Sequence, residues 1–96
     1  MSTPHLPILL VEDSPMDVDL TLRAFARRKL ANPVLVARDG EEALAWIPRW
    51  EAGEPQPAVI LLDLNMPRVD GLTVLRKLKA HPELHRIPVV ILTTSR

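Results

Sequence analysis

Two apolar runs, AVILL (58–62) and VVILTT (89–94), carry hydrophobic side chains at consecutive rather than alternate positions. A strand with one wetted face alternates in and out. A strand without alternation needs both faces covered, which is the condition of a parallel sheet lying between helices. The intervening sequence supplies those helices. ILLV (8–11) reads as a first strand, and Ser14-Pro15 as an N-cap followed by proline at the first helical position. The helix that follows places Val18, Leu22, Phe25 and Lys29/Leu30 on one face. It opens with Asp17 and Asp19 and closes with Arg27 and Arg28, the order its dipole favours. Asn32-Pro33 breaks it before a second strand, VLVA (34–37). Asp39-Gly40 then turns into EEALAWI, a short helix that Pro48 is expected to end or kink. The loop EAGEPQP leads into the third strand, LTVLRKLKA forms a third helix with Leu72, Leu75 and Leu78/Lys79 along one face, and HPELHRIP connects to the fourth strand.

This alternation predicts a single α/β domain with a doubly wound parallel sheet. Right-handed crossovers give the strand order 2-1-3-4. The carboxyl ends of strands one and three then adjoin at the switch point, where such sheets bind ligands.

Composition narrows the function. The 96 residues are 47% hydrophobic but only 3% aromatic, so the core must be aliphatic. Twelve basic residues balance twelve acidic ones, which argues against nucleic acid or an anionic membrane as the main partner. The absence of cysteine removes disulfides, thiolate metal sites and cysteine nucleophiles. No apolar run is long enough for a signal peptide or a bilayer span, and a cytoplasmic location is expected.

The switch point is where the chemistry gathers. Glu12 and Asp13 end the first strand and Asp63 ends the third. Two carboxylates 4 Å apart repel by about 4 kcal/mol at an effective dielectric of about 20, so either one holds a proton or a cation sits among them. Oxygen ligands without sulfur or histidine favour Mg²⁺. The fourth strand brings Thr93, Thr94 and Ser95 to the same edge. A carboxylate nucleophile, a metal and a hydroxyl suit phosphoryl transfer to aspartate.

Three segments in this order and spacing, VED (11–13), LLDLNMPRVDG (61–71) and PVVILTTS (88–95), resemble the receiver domain of two-component response regulators. SPMDVDLTLRAF, ARDGEEALAWI and the LTTS ending are further similar to small stand-alone regulators that serve phytochrome-type kinases. The resemblance implies a flavodoxin-like fold, whose known strand order is the one given above, so that order is not independent of it. It implies that Asp63 accepts a phosphoryl group from a histidine kinase, signalling by conformational change rather than as an enzyme. It implies Mg²⁺ held by Asp13, Asp63 and the main-chain carbonyl of Asn65, with Glu12 acting through water, and Thr93 as the switch hydroxyl.

The family pattern continues with another helix, a fifth strand ending in a lysine that bonds the phosphoryl oxygen, and a last helix. The sequence given stops at Arg96, and Lys29, Lys77 and Lys79 all fall on expected helices. Residues 1–96 are therefore expected to be a C-terminally truncated receiver, lacking the fifth strand and last two helices. Part of one sheet face would be bare and the fourth strand an open edge, so the chain would either belong to a longer receiver or self-associate, for example as a homodimer. A phosphorylation-incompetent interaction module is the alternative function.

Other readings weigh less. A nucleotide hydrolase needs a glycine-rich phosphate loop, but Gly40, Gly53 and Gly71 stand apart and none precedes a lysine. Aspartate phosphatases want a second Asp where this chain has Asn65. His81 and His85 are four apart, but Pro82 and the polar setting point to surface residues rather than metal ligands. Pro67 and Gly71 are expected to shape the loop after Asp63, Gly71 by tolerating positive φ.

Overall fold

A computed structural model describes residues 5–66 and 69–92. Its elements are β1 (Ile8–Val11), α1 (Pro15–Arg27), β2 (Val34–Ala37), α2 (Gly40–Glu51), β3 (Val59–Asp63), α3 (Gly71–Lys79), a 3₁₀ turn (Leu84–Arg86) and β4 (Val89–Leu92). The strands form one parallel sheet in the order β2-β1-β3-β4, the order expected above.

Each helix starts where the sequence supplies a side-chain acceptor. Ser14 accepts from the Asp17 N–H at 3.3 Å, Asp39 from Glu42 at 2.8 Å, and Asp70 from Thr73 at 2.9 Å. These satisfy backbone donors that have no partner inside the helix. The main core lies on one face of the sheet. There Leu9, Val11, Ala37, Ile60 and Leu62 pack with Ala43 and Trp50 of α2, Val74 and Leu78 of α3, and Leu84 and Ile87. Ile8, Leu10 and Val18 are buried outside that cluster, which places α1 on the opposite face. Of α1's apolar stripe, only Val18 is fully buried; Phe25 is half-buried and Leu22 exposed.

Two expectations change, at Pro48 and at His81. Pro48 does not end α2, which runs on to Glu51. Proline inside a helix costs about 3 kcal/mol, and here the last turn is held by burial of Trp50 in the core and by its stacking, within the helix, on Trp46 with centroids 6.0 Å apart. β3 is buried at Ile60 and Leu62 and half-buried at Val59 and Leu61, while β4, the open edge expected above, leaves Val90 and Ile91 exposed. His81 is no plain surface residue. Its Nδ1 accepts from the Glu83 and Leu84 N–H groups at 3.1 Å each, and its Nε2 lies 2.9 Å from Glu51 Oε2, tying the end of α2 to the 3₁₀ turn.

Candidate metal centre

Val11 and Leu62 are partners in the β1–β3 register, so the next residues, Glu12 and Asp63, leave the sheet side by side. The Glu12 N–H still donates to the Ala37 carbonyl at 3.0 Å, which extends β1's ladder toward β2 and keeps Glu12 in place. Both acids are buried, each 2% exposed, while Asp13 turns outward to the mouth. One carboxylate oxygen from each of Glu12, Asp13 and Asp63 lies within 4.8 Å of the others.

The electrostatics follow from this packing. Glu12 is pushed up from 4.5 to about 7, first by burial and then by its hydrogen bond to Asp63 and that group's charge. The Ser14 N–H, 3.4 Å from Glu12 Oε2, offsets part of the rise. Without a cation, the cluster relieves its repulsion by holding a proton on Glu12. Three oxygen donors at close range with excess negative charge form the donor set a hard divalent cation takes.

The β3–α3 loop closes the site. Asp63 Oδ1 accepts from the Asn65 N–H at 2.9 Å, which fixes the plane of the carboxylate, and Asn65 itself is exposed at the mouth. Met66 is buried beneath. Asp70 ends the loop as the cap of α3, and its bonds to Thr73 N and Oγ1, both 2.9 Å, hold its carboxyl below the usual carboxylate range. Gly71 is needed, but not for positive φ, which among the described glycines belongs to Gly53. A Cβ on Gly71 would run into the Asp63 carbonyl oxygen and lie 2.7 Å from Leu64 Cα. The helix thus starts in direct contact with the strand end that carries the acid. Thr93, together with Pro67, lies outside the described residues.

Of the expected site residues, Glu12, Asp13 and Asp63 are brought together, and Asn65 bonds back onto Asp63. Sequence reasoning missed Gly40. A Cβ there would collide with the Val69 carbonyl oxygen of this same loop. The Asp39-Gly40 pair was visible as a turn, but nothing in a turn signal says what packs against it.

Residues 8–96 match the response regulator receiver domain family. The chain belongs to that family. It is 44% identical over 96 residues to response regulator Rcp1 of Synechocystis sp., covering 98% of this chain and 65% of that protein. A probable methanogenesis regulatory protein of Methanothrix harundinacea, FilR2, is 44% identical over 89 residues and is covered over 57% of its length. The chain thus spans less than two thirds of the length of these two curated relatives. Among solved structures, the bacteriophytochrome response regulator AtBRR superposes with a TM-score of 0.88 at 50% identity, over 98% of this chain and 70% of that one. The phosphorylated cyanobacterial phytochrome response regulator RcpA gives 0.84 at 44% identity, over 95% and 66%. A manganese-bound response regulator Rcp1 gives 0.84 at 42% identity, over 95% and 67%. These likenesses agree with the flavodoxin-like order found here. This receiver has, among its described residues, no helix long and apolar enough to cross a membrane.

Proposed function

We propose that this receiver accepts a phosphoryl group on Asp63 from a histidine kinase in a Mg²⁺-dependent reaction, and that it signals by the resulting change in conformation. The observation that carries the reading is the convergence of Glu12, Asp13 and Asp63 within 4.8 Å at the switch point, with Glu12 and Asp63 buried and Asp13 at the mouth. Asp13, Asp63 and the Asn65 main-chain carbonyl would hold the cation, and Glu12 would reach it through water. When bound, the cation neutralises the carboxylates and the charge on the phosphoryl oxygens.

The chain's own residues do the rest. The Asn65 N–H holds Asp63 Oδ1, so the carboxylate is oriented before the donor arrives. A carboxylate oxygen of Asp63 forms the new bond to phosphorus while the donor's phosphorus–nitrogen bond breaks. The imidazole leaves and takes up a proton. Burial of Glu12 and Asp63 excludes bulk water from the acceptor and slows loss of the acyl phosphate. Thr93 is the hydroxyl proposed to move toward the phosphoryl group.

Similarity to phytochrome response regulators favours a phytochrome-type kinase as donor, and the reading makes the chain a cytoplasmic signalling module rather than an enzyme with turnover. A second reading, an interaction module that self-associates without phosphorylation, draws support from the exposed Val90 and Ile91 of β4. Transfer from a radiolabelled, autophosphorylated phytochrome-type kinase decides between them. Label passing to the chain with Mg²⁺ and not with EDTA supports the first reading. Label staying on the kinase under both conditions overturns it.

A further inference from the structure

Helix α2 is on the side of the sheet away from α1, and nothing in its sequence suggests a part in chemistry. Its first turn is nonetheless built as a fixed abutment. Asp39 Oδ1 accepts from the Glu42 N–H at 2.8 Å, and Glu42 Oε1 accepts from the Arg38 N–H at 2.9 Å. This reciprocal capping locks the start of the helix. Gly40, the first helical residue, is buried against Val69. A Cβ there would collide with the Val69 carbonyl oxygen and stand 2.8 Å from both Val69 Cβ and Cγ1. Val69 belongs to the loop that starts at Asp63, carries Asn65 and ends at the Asp70 cap. The loop is thus pressed from one end by α2 at Gly40 and from the other by β3 at Gly71.

From this juxtaposition we infer that Gly40 is a positioning residue of the metal and phosphoryl site. By offering no side chain, it lets the capped end of α2 seat the loop so that the Asn65 N–H meets Asp63 and the Asn65 carbonyl is presented to the cation. The inference rests on the Mg²⁺ reading above. A side chain at residue 40 has a backbone carbonyl in its way, so relief requires the loop and the start of α2 to move apart. Outer positions that orient metal ligands are worth about tenfold or more in metal affinity.

The test compares Gly40→Ala with Gly53→Ala in the full chain. Gly53 has φ 107° and nothing within 4 Å of an added Cβ, so alanine there strains the backbone far from any loop contact. Mg²⁺ affinity is read by amide shifts, and stability by thermal melts in EDTA. Both variants should melt earlier. Only Gly40→Ala should weaken Mg²⁺ binding, by about tenfold, and move the Asn65 and Met66 amides in the metal-free spectrum. Adding Val69→Gly should restore part of the affinity by freeing the loop to give. Equal Mg²⁺ affinity in Gly40→Ala and the unmodified chain would overturn the inference. Failure of the unmodified chain to bind Mg²⁺ would instead overturn the function on which it rests. If Gly40→Ala does not fold, the unmodified chain still decides: its Gly40 amide should shift together with Asn65 and Val69 on Mg²⁺ addition, and a silent Gly40 contradicts the coupling.

Discussion

Glu12, just past β1, and Asp63, at the end of the neighbouring strand β3, are equally buried, and that burial with the hydrogen bond between them pushes Glu12 up to about 7. Two acids so placed make the metal-free protein sensitive to pH in an unusual direction. The folded state holds the Glu12 proton more tightly than the unfolded state, because Glu12 rises from 4.5 to about 7 on folding. Between those values the folded chain binds more protons, so stability falls as pH rises. Urea midpoints measured in EDTA should decline across this window and level off above it, and Glu12→Gln should flatten that decline. A midpoint that climbs through the window by the same amount in both proteins would contradict the account.

Mg²⁺ should reverse that slope, since it replaces the proton as the neutralising charge. Asp13 faces the mouth and Glu12 is buried behind it. Asp13→Asn should therefore weaken Mg²⁺ binding more than Glu12→Gln, which removes a group acting through water and should cost about tenfold. Isothermal titration showing equal losses would reject this assignment of roles.

Gly71→Ala should destabilise the fold, since the added methyl would meet the backbone at Asp63 and Leu64. Forced overpacking of this kind costs about 1–3 kcal/mol, and chemical denaturation reads it directly. An unchanged midpoint would show that α3 can move away from the strand end freely.

Val90 and Ile91 expose apolar side chains on β4, and Met16, Leu20 and Leu22 do so on α1. Among the described residues β4 is also an open sheet edge, and an open edge is a ready template for pairing with another chain. The 96-residue chain should therefore associate with rising concentration, and Val90→Lys with Ile91→Lys should shift it toward monomer. Sedimentation velocity showing one concentration-independent monomer would contradict this.

Much of this was legible in the residues. Unbroken apolar runs set between amphipathic helices gave a parallel sheet, and its crossovers, together with the receiver resemblance, put Glu12 beside Asp63. Ser14, read as an N-cap, does cap α1, whereas Asp39 and Asp70, legible only as turn and loop residues, turn out to cap α2 and α3. What stayed hidden depends on distant contacts. The passage of α2 through Pro48 needs the burial of Trp50, and the capping by His81 needs a carboxylate from another helix. Gly71 was flagged for the wrong reason, because a close approach and a positive φ leave the same residue in a sequence. Gly40 shows the same limit: its meaning is Val69, twenty-nine positions further on and invisible to any local pattern.

The central claim is that Asp63 is the acceptor, and intact mass after incubation with a small phosphodonor and Mg²⁺ tests it most directly. The account predicts a mass gain of one phosphoryl group, labile to hydroxylamine, dependent on Mg²⁺ and lost in Asp63→Asn. A gain of the same size in Asp63→Asn, or no gain in a folded chain that binds Mg²⁺, would contradict it.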